Sequence, residues 1–309
     1  MTAVARGGKS TTPVVSIVIP VRDRLELLKE LTGDIRGASH QEKRIEVLIV
    51  LDPAQESSFE DVLQHISMES GFSLVWSGGS GAGPARNHGL SLVQGDWLWF
   101  VDSDDRLPTG SIEAVLEVAE KSASDLLLFS AGIINGSVKE SAPWINRYKD
   151  FAARKRVIRP MDFPGNIFQF TTPSPWNFVY RRSFLHHLDL KFSSLPSSND
   201  VSFVFTALAC AREVELSGEE IYLYRRNAPG NSQNSENNFS LPLAAMELRR
   251  NLTQRGVLKR LRPSYRKFVR GTVFKWWAAK KPLVRVPVLL AFFLVLVFDG
   301  FRPNCRRTG

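Results

Sequence analysis

Cysteine is almost missing from this chain. Cys210 and Cys305 stand far apart, and no CxxC pair or Cys/His cluster accompanies them. A disulfide-stapled scaffold and a zinc site are therefore not expected, and the usage fits a reducing cytoplasm. The opening "MTAVARGGKSTTP" has no apolar stretch followed by a small-residue cleavage site, so no secretory signal is expected there. Acidic residues are missing from one end. Residues 249–309 hold 16 of the 40 Lys/Arg but only one of the 31 Asp/Glu, Asp299. The formal charge of +9 thus conceals an acidic body and a basic tail, and the tail calls for a polyanionic surface, membrane or nucleic acid. Disorder is excluded by a hydrophobic content of 43% and an aromatic content of 10%, which suit a packed core. At 309 residues the chain has room for one large α/β domain with additions, or two domains.

What is present alternates. Val14–Val21 and Ile45–Leu51 are β-branched runs. Asp23–Ile35 carries Leu25, Leu28, Leu31 and Ile35 at helical spacing. Phe59–Ile66 reads as helix, Ser73–Trp76 as strand and Gly83–Val93 as helix. Trp97–Val101 then reads as strand, Ser111–Lys121 as helix and Asp125–Ser130 as strand. This rhythm predicts an α/β fold with a mostly parallel sheet flanked by helices, and a ligand crevice at the carboxyl ends of its strands. Residues 135–175 read as long loops, 227–238 as a polar loop, and the chain from Leu241 onward as helical.

The stretch "GDWLWFVDSDDRLP" ends an apolar strand in Asp102, Asp104 and Asp105. In an extended segment alternate side chains share a face, so Asp102 and Asp104 can point to one place. A Mg²⁺ or Mn²⁺ ion held by one or two carboxylates completes its shell with water and substrate phosphates. Taken alone, "DSDD" is also ordinary capping chemistry before a helix. Two other stretches fall where a nucleotide would need them. "IEVLIVLD" ends a strand in Asp52, which could accept the N3–H of a uracil or thymine, or simply begin a turn. "GGSGAGPARNHGL" offers small residues for close backbone approach, a helix N-terminus and Arg86 for phosphate. It matches neither G-x-G-x-x-G nor the P-loop pattern.

Seven stretches occur in order: "VSIVIPVRDR", "EVLIVLD", "GPARNHGL", "GDWLWFVDSDD", "PWNFVYRRSFL", "NDVSFVFTALACA" and "IYLYRRNAPGNS". In order and spacing they resemble glycosyltransferase family 2, whose members have the GT-A fold. The resemblance covers roughly residues 14–232. It implies a nucleotide-sugar donor and a divalent cation. By similarity Pro20 and Asp23 line the nucleotide pocket, Asp52 contacts uracil, Arg86 contacts nucleotide or diphosphate, Asp102 lies near the ribose, and Asp104, with Asp102, holds the metal. Asp105 stands behind them or caps. Asp200 matches the catalytic base, a position that also suits an N-cap. Trp176 and Asn177 are implied at the acceptor or sugar face, and Arg225 and Arg226 on a loop reaching the diphosphate. Two departures stand out: Leu51 and Asn199 occupy positions that are acidic in many members. The Q-x-x-R-W motif of processive synthases is absent, which implies addition of a single sugar. A binding protein without turnover and, less well, a nucleotidyltransferase remain alternatives. The latter lacks its expected Gly-rich loop, since "PVRDRLELL" has no glycine.

The expected organisation is a flexible N-terminus over 1–13, a GT-A domain over 14–240 and a tail over 241–309. The domain divides into a nucleotide-binding half, 14–130, and an acceptor half, 131–240. In the tail, Val269, Val273, Trp276 and Trp277 follow helical spacing among Arg266, Arg270 and Lys280. Val286–Phe298 is then an uncharged apolar run of 13 residues. As a helix it reaches about 20 Å against a hydrocarbon core of about 30 Å. Peripheral or monotopic docking on the cytoplasmic face of the cell membrane is the first expectation, a short span or a buried helix the others. Nucleic acid is not expected as a partner. The acceptor would be a lipid-linked saccharide or another surface-glycan precursor.

Overall fold

The computed structural model describes residues 13–22, 24–36, 44–52, 72–152, 155–226 and 240–274. Strands β1 (Val15–Val21), β2 (Ile45–Leu51), β3 (Phe72–Trp76) and β4 (Trp97–Phe100) alternate with helices α1 (Leu25–Arg36) and α2 (Ala82–Leu92). Helix α3 (Ser111–Lys121) leads to the long β5 (Leu126–Asn135), which hairpins into β6 (Val138–Glu140). Then come α4 (Tyr148–Ala152), β7 (Val157–Ile158), β8 (Phe178–Arg181), α5 (Arg182–Leu188), α6 (Val201–Cys210) and β9 (Val214–Arg225). Helices α7 (Ser240–Gln254) and α8 (Leu258–Phe268) follow.

The sheet order is β3-β2-β1-β4-β8-β5-β9-β7, with β6 paired to β5. The expected mostly parallel sheet is in fact mixed. β3, β2, β1 and β4 pair in parallel, as do β5 and β9, but β8 enters antiparallel between β4 and β5. Its sequence "FVYR" is only four residues long, and nothing in so brief a run encodes direction.

Alternation along each strand divides the core between two faces. Val18, Leu98, Phe100, Leu126 and Leu128 point to one side, with α2, α6, α7 and α8. Ile17, Ile19, Trp97, Trp99 and Leu127 point to the other, with α1 and α3. Ala244, Ala245, Leu248 and Leu252 of α7 and Leu261, Tyr265 and Phe268 of α8 are buried in the first core. The expected boundary at 240/241 therefore falls inside one packed unit, because the apolar stripes of α7 and α8 find their partners on the sheet.

Pro20 explains where the sheet opens. Val101 donates its N–H to the Val18 carbonyl, and the β1–β4 register ends at Val18↔Phe100. Two residues on, the next rung would need an N–H from residue 20, and proline has none. Beyond that point β1 and β4 separate at their carboxyl ends. Asp52, Asp102 and Asp104 all lie at this edge.

No helix among the described residues is long and apolar enough to cross a membrane. The apolar run 286–298 lies outside them, as do Asp23 and the expected helix Phe59–Ile66.

Candidate active site

The Gly-rich stretch turns sharply into α2. Gly81 precedes the helix at φ 99, and Pro84 sits in the first turn, where an N–H would have no helical partner. Asp52, at the end of β2, accepts from the Gly81 N–H at 2.8 Å and from the Ser80 hydroxyl at 2.9 Å, both on Oδ2. Its carboxylate thus ties β2 to the positive end of α2. Close approach also occurs in the first turn of α2, to the chain's own backbone: a Cβ on Gly83 would lie 1.9 Å from the Ser193 carbonyl oxygen.

One turn into α2, Arg86 is buried and joins two parts of the site. Nη2 donates to Oδ1 of Asp102 at 2.5 Å, and Nη1 to Oδ1 of Asn199 at 2.9 Å. The ring of Phe192 packs below its guanidinium, 5.3 Å from the centroid. Arg86 was expected at the nucleotide or diphosphate. In this structure both of its terminal nitrogens serve protein groups.

The carboxylates of 102–105 lie close enough to feel one another's charge, yet they are taken up by separate partners. The chain leaves the strand in a turn, with the Asp105 N–H donating to the Asp102 carbonyl at 3.2 Å, so the extended geometry assumed for Asp102 and Asp104 does not hold. Each acid has its own partner. Asp102 takes Arg86, and Asp104 takes the guanidinium of Arg24. Asp105 is buried, accepting from the Tyr222 hydroxyl at 2.6 Å and from the Arg225 N–H at 2.7 Å. It caps no helix: α3 begins after Gly110, with no side-chain cap. Burial, then Asp104 and Asp102, hold the Asp105 carboxyl well above the ordinary carboxylate range. Asp104 is raised by burial and by Asp102, against the pull of Arg24.

Asp200 stands at the N-terminus of α6 without a side-chain cap bond to the helix. Burial pushes its carboxyl to about 6, against the lowering charge of Arg86. A base titrating there is largely ionised at neutral pH and still basic enough to take a proton.

Four of the expected contact residues are engaged with the protein itself in this structure. Trp176 is stacked inside on Tyr222, with centroids 4.5 Å apart and planes 3° apart, and its carbonyl accepts from Trp99 Nε1 at 2.7 Å. Asn177 is fully buried and donates to the Thr171 hydroxyl at 2.8 Å. Neither is presented as an open face: the Trp176 ring gains its stack on Tyr222, and the Asn177 amide is held by its Nδ2 bond to Thr171 while its Oδ1 is buried without a hydrogen-bond partner. Arg226 turns aside to Glu140, 2.7 Å away, and to the Trp144 ring. Arg225 does meet the acidic turn, but as a clamp. Nε donates to the Asp104 carbonyl at 2.9 Å and Nη2 to Glu30 at 2.8 Å.

Arg24 and Tyr222 are site residues that the sequence reading did not single out. Arg24 could have been noticed as the second arginine of "VRDR", beside the crevice. Nothing local marks Tyr222, whose hydroxyl also accepts the Asp102 N–H at 3.0 Å from 120 residues away. Among the described residues, no group of three or more His, Cys, Asp or Glu side chains is arranged to hold a metal ion.

The family model "Glycosyl transferase family 2" matches residues 16–189, more than half of the chain. The chain belongs to this family. Among relatives, it is 26% identical over 219 residues to the putative glycosyltransferase EpsH of Bacillus subtilis, covering 69% of this chain and 61% of that one. It is 23% identical over 228 residues to the poly(ribitol-phosphate) beta-N-acetylglucosaminyltransferase TarS of Staphylococcus aureus, covering 71% and 37%. The matched part therefore spans about three fifths of EpsH and less of TarS. The crystal structure of TarS 1–349 with UDP-GlcNAc superposes with a TM-score of 0.70 at 18% identity, covering 91% of this chain and 80% of that one. The mannosyltransferase PcManGT of Pyrobaculum calidifontis, with GDP-Man and Mn²⁺, gives 0.52 at 14% identity, covering 94% and 77%. This family 2 chain thus has a GT-A-like mixed sheet with flanking helices, and Asp52, Arg86, Asp102, Asp104 and Asp200 sit at its open edge.

Proposed function

We propose that the protein is an inverting, non-processive glycosyltransferase that moves one sugar from a nucleotide donor, UDP-linked by preference, to an acceptor hydroxyl. The observation that carries this is the bridge made by Arg86. Its guanidinium donates to both Asp102 and Asn199, the neighbour of Asp200, which supports reading Asp102 as donor-side and Asp200 as base around one buried cation. Membership of the family and the UDP-GlcNAc complex of TarS support the nucleotide-sugar class.

In this reading Asp52 accepts the base N3–H and Asp102 faces the ribose. Asp104 holds Mn²⁺ or Mg²⁺, with Asp102 beside it. The donor set suits such an ion: hard carboxylate oxygens, too few to cage it, and already attracting a guanidinium as a cation. When bound, the ion stabilises charge on the departing diphosphate. Asp200 takes the acceptor hydroxyl proton as that oxygen attacks C1. The new C1–O bond forms on the face opposite the breaking C1–O bond to diphosphate, and the nucleoside diphosphate leaves. The Mn²⁺ complex of PcManGT supports the choice of metal.

For the acceptor we propose a lipid-linked saccharide or other surface-glycan precursor at the cytoplasmic membrane face. TarS, named for transfer to poly(ribitol-phosphate), supports an acceptor of bacterial polymer class. The outer side of α8 supports docking on an anionic surface. Lys259, Arg260, Arg266 and Lys267 are exposed there, no acidic residue lies between Arg249 and Phe268, and the basic sequence continues toward Trp276 and Trp277. Confinement there would raise the effective concentration of a membrane-held acceptor.

The deciding experiment measures UDP release from a panel of UDP-sugars with Mn²⁺, with and without glycan acceptors. Donor-dependent release that falls in both Asp104→Ala and Asp200→Ala is expected. Full transfer in both variants would show the site to be elsewhere.

A further inference from the structure

Of the three acids after β4, Asp104 alone is paired to an arginine from a loop. Arg24 stands just before α1, three residues past the end of β1, in the left-handed region at φ 74, and its Nη1 donates to Oδ2 of Asp104. The two side chains are 19% and 21% exposed, at the crevice that opens beyond Pro20. Asp102 is matched instead by Arg86, which is 6% exposed on a packed helix, and Asp105 by Tyr222 and a backbone N–H. The main chain of Asp104 is pinned from behind by Arg225. Its carboxylate can therefore exchange partners without moving the turn.

We propose that Arg24 is a resident counter-ion that occupies Asp104 until a metal–nucleotide complex displaces it, and that the displaced guanidinium then takes the donor's diphosphate. This rests on the metal-dependent reading above and deepens it. A guanidinium and a divalent cation on the same carboxylate repel each other and compete for its charge. Metal alone gains Asp104 but meets the like charge of the adjacent guanidinium, so it binds poorly. Metal with a nucleoside diphosphate brings the phosphate oxygens that a guanidinium fork pairs with well. The exchange trades one ion pair for two, and linkage requires metal and nucleotide to strengthen each other equally. Productive loading would then depend on the complete metal–donor complex rather than on free metal.

The test is calorimetry of Mn²⁺ binding to the full chain, with and without UDP, repeated by electron paramagnetic resonance of free Mn²⁺. The wild type should bind Mn²⁺ weakly alone and about tenfold more tightly with UDP. Arg24→Gln should bind Mn²⁺ alone about five- to tenfold more tightly than wild type and lose most of the UDP enhancement. Arg24→Lys, which keeps the charge, should stay near wild type. If Arg24→Gln does not fold, Arg24→Gly tests the same point, since glycine suits φ 74. Should Arg24→Gln or Arg24→Gly bind Mn²⁺ alone no better than wild type, while UDP still enhances it, the counter-ion role is overturned and the metal reading stands. Should no variant bind Mn²⁺ even with UDP, the metal reading itself fails and the exchange with it.

Discussion

Arg86 Nη2 lies 2.5 Å from Asp102 Oδ1, and this partly buried pair ties the acidic turn to helix α2. Arg86→Met keeps the bulk and removes the charge. It leaves Asp102 without its partner and Asn199 with a lost bond. Loss of about 1–3 kcal/mol of stability is expected, since Asp102 can recover some water. UDP release should fall together with stability. Urea unfolding and turnover of the same preparation check this. A variant that lost turnover while keeping full stability would instead place Arg86 on the diphosphate.

The carboxyl of Asp200 titrates at about 6, which predicts an acid limb in the pH profile. The base must be ionised, so kcat/KM should rise tenfold per pH unit below about 6 and level above it. Asn199→Asp sets a second carboxylate beside it, and like charge should move the limb upward. A limb unmoved by that change would remove Asp200 from the role of base.

The same group makes a statement about stability. Its folded value lies above the unfolded one, so the folded state holds the proton more tightly and its stability falls as pH rises from about 4 to 6. Asp200→Asn escapes this cost. It should equal wild type near pH 4 and exceed it above pH 6, by on the order of 1–3 kcal/mol, while losing transfer. Paired melts at the two pH values decide it.

Much of the fold could be read from residues that act locally. Ile45–Leu51 and Ser111–Lys121 have the bounds that their periodicity suggests, and Trp97–Phe100 differs by one residue. Asp52, Arg86, Asp102, Asp104 and Asp200 come to one edge because strand ends and helix starts put them there. What could not be read depends on distant partners. The antiparallel entry of β8 is decided by tertiary pairing, and Trp176 and Asn177 look polar or amphipathic enough for a surface until their burial is seen. The acidic turn was legible as a cluster, but its countercharges Arg24 and Arg86 and its hydroxyl partner Tyr222 join positions up to 120 residues apart. Electrostatic repulsion read from sequence assumed that no counter-charge was near.

Gly83 tests the packing that carries Arg86. A Cβ there would meet the Ser193 carbonyl oxygen at 1.9 Å, backbone against backbone, so neither side can rotate away. Gly83→Ala should push the start of α2 off the segment before α6, costing about 2–4 kcal/mol. Helix propensity alone would favour alanine by about 1 kcal/mol, so the sign of the change separates the two effects. Chemical denaturation measures it directly.

Tyr222→Phe is the most economical probe of the acidic turn, since it removes one oxygen and keeps the stack on Trp176. That oxygen donates to Asp105 at 2.6 Å and accepts the Asp102 N–H at 3.0 Å. Without it, the buried Asp105 keeps only the Arg225 N–H among its observed partners, and the turn loses a tie to β9. A cost of about 1–3 kcal/mol is expected from the unsatisfied groups. Because Asp102 and Asp104 share that turn, UDP affinity should weaken several-fold as well, while Trp176→Phe should lower stability with less effect on UDP. Equal effects of the two variants on UDP affinity would show that the stack, rather than the hydroxyl, positions the donor-side acids.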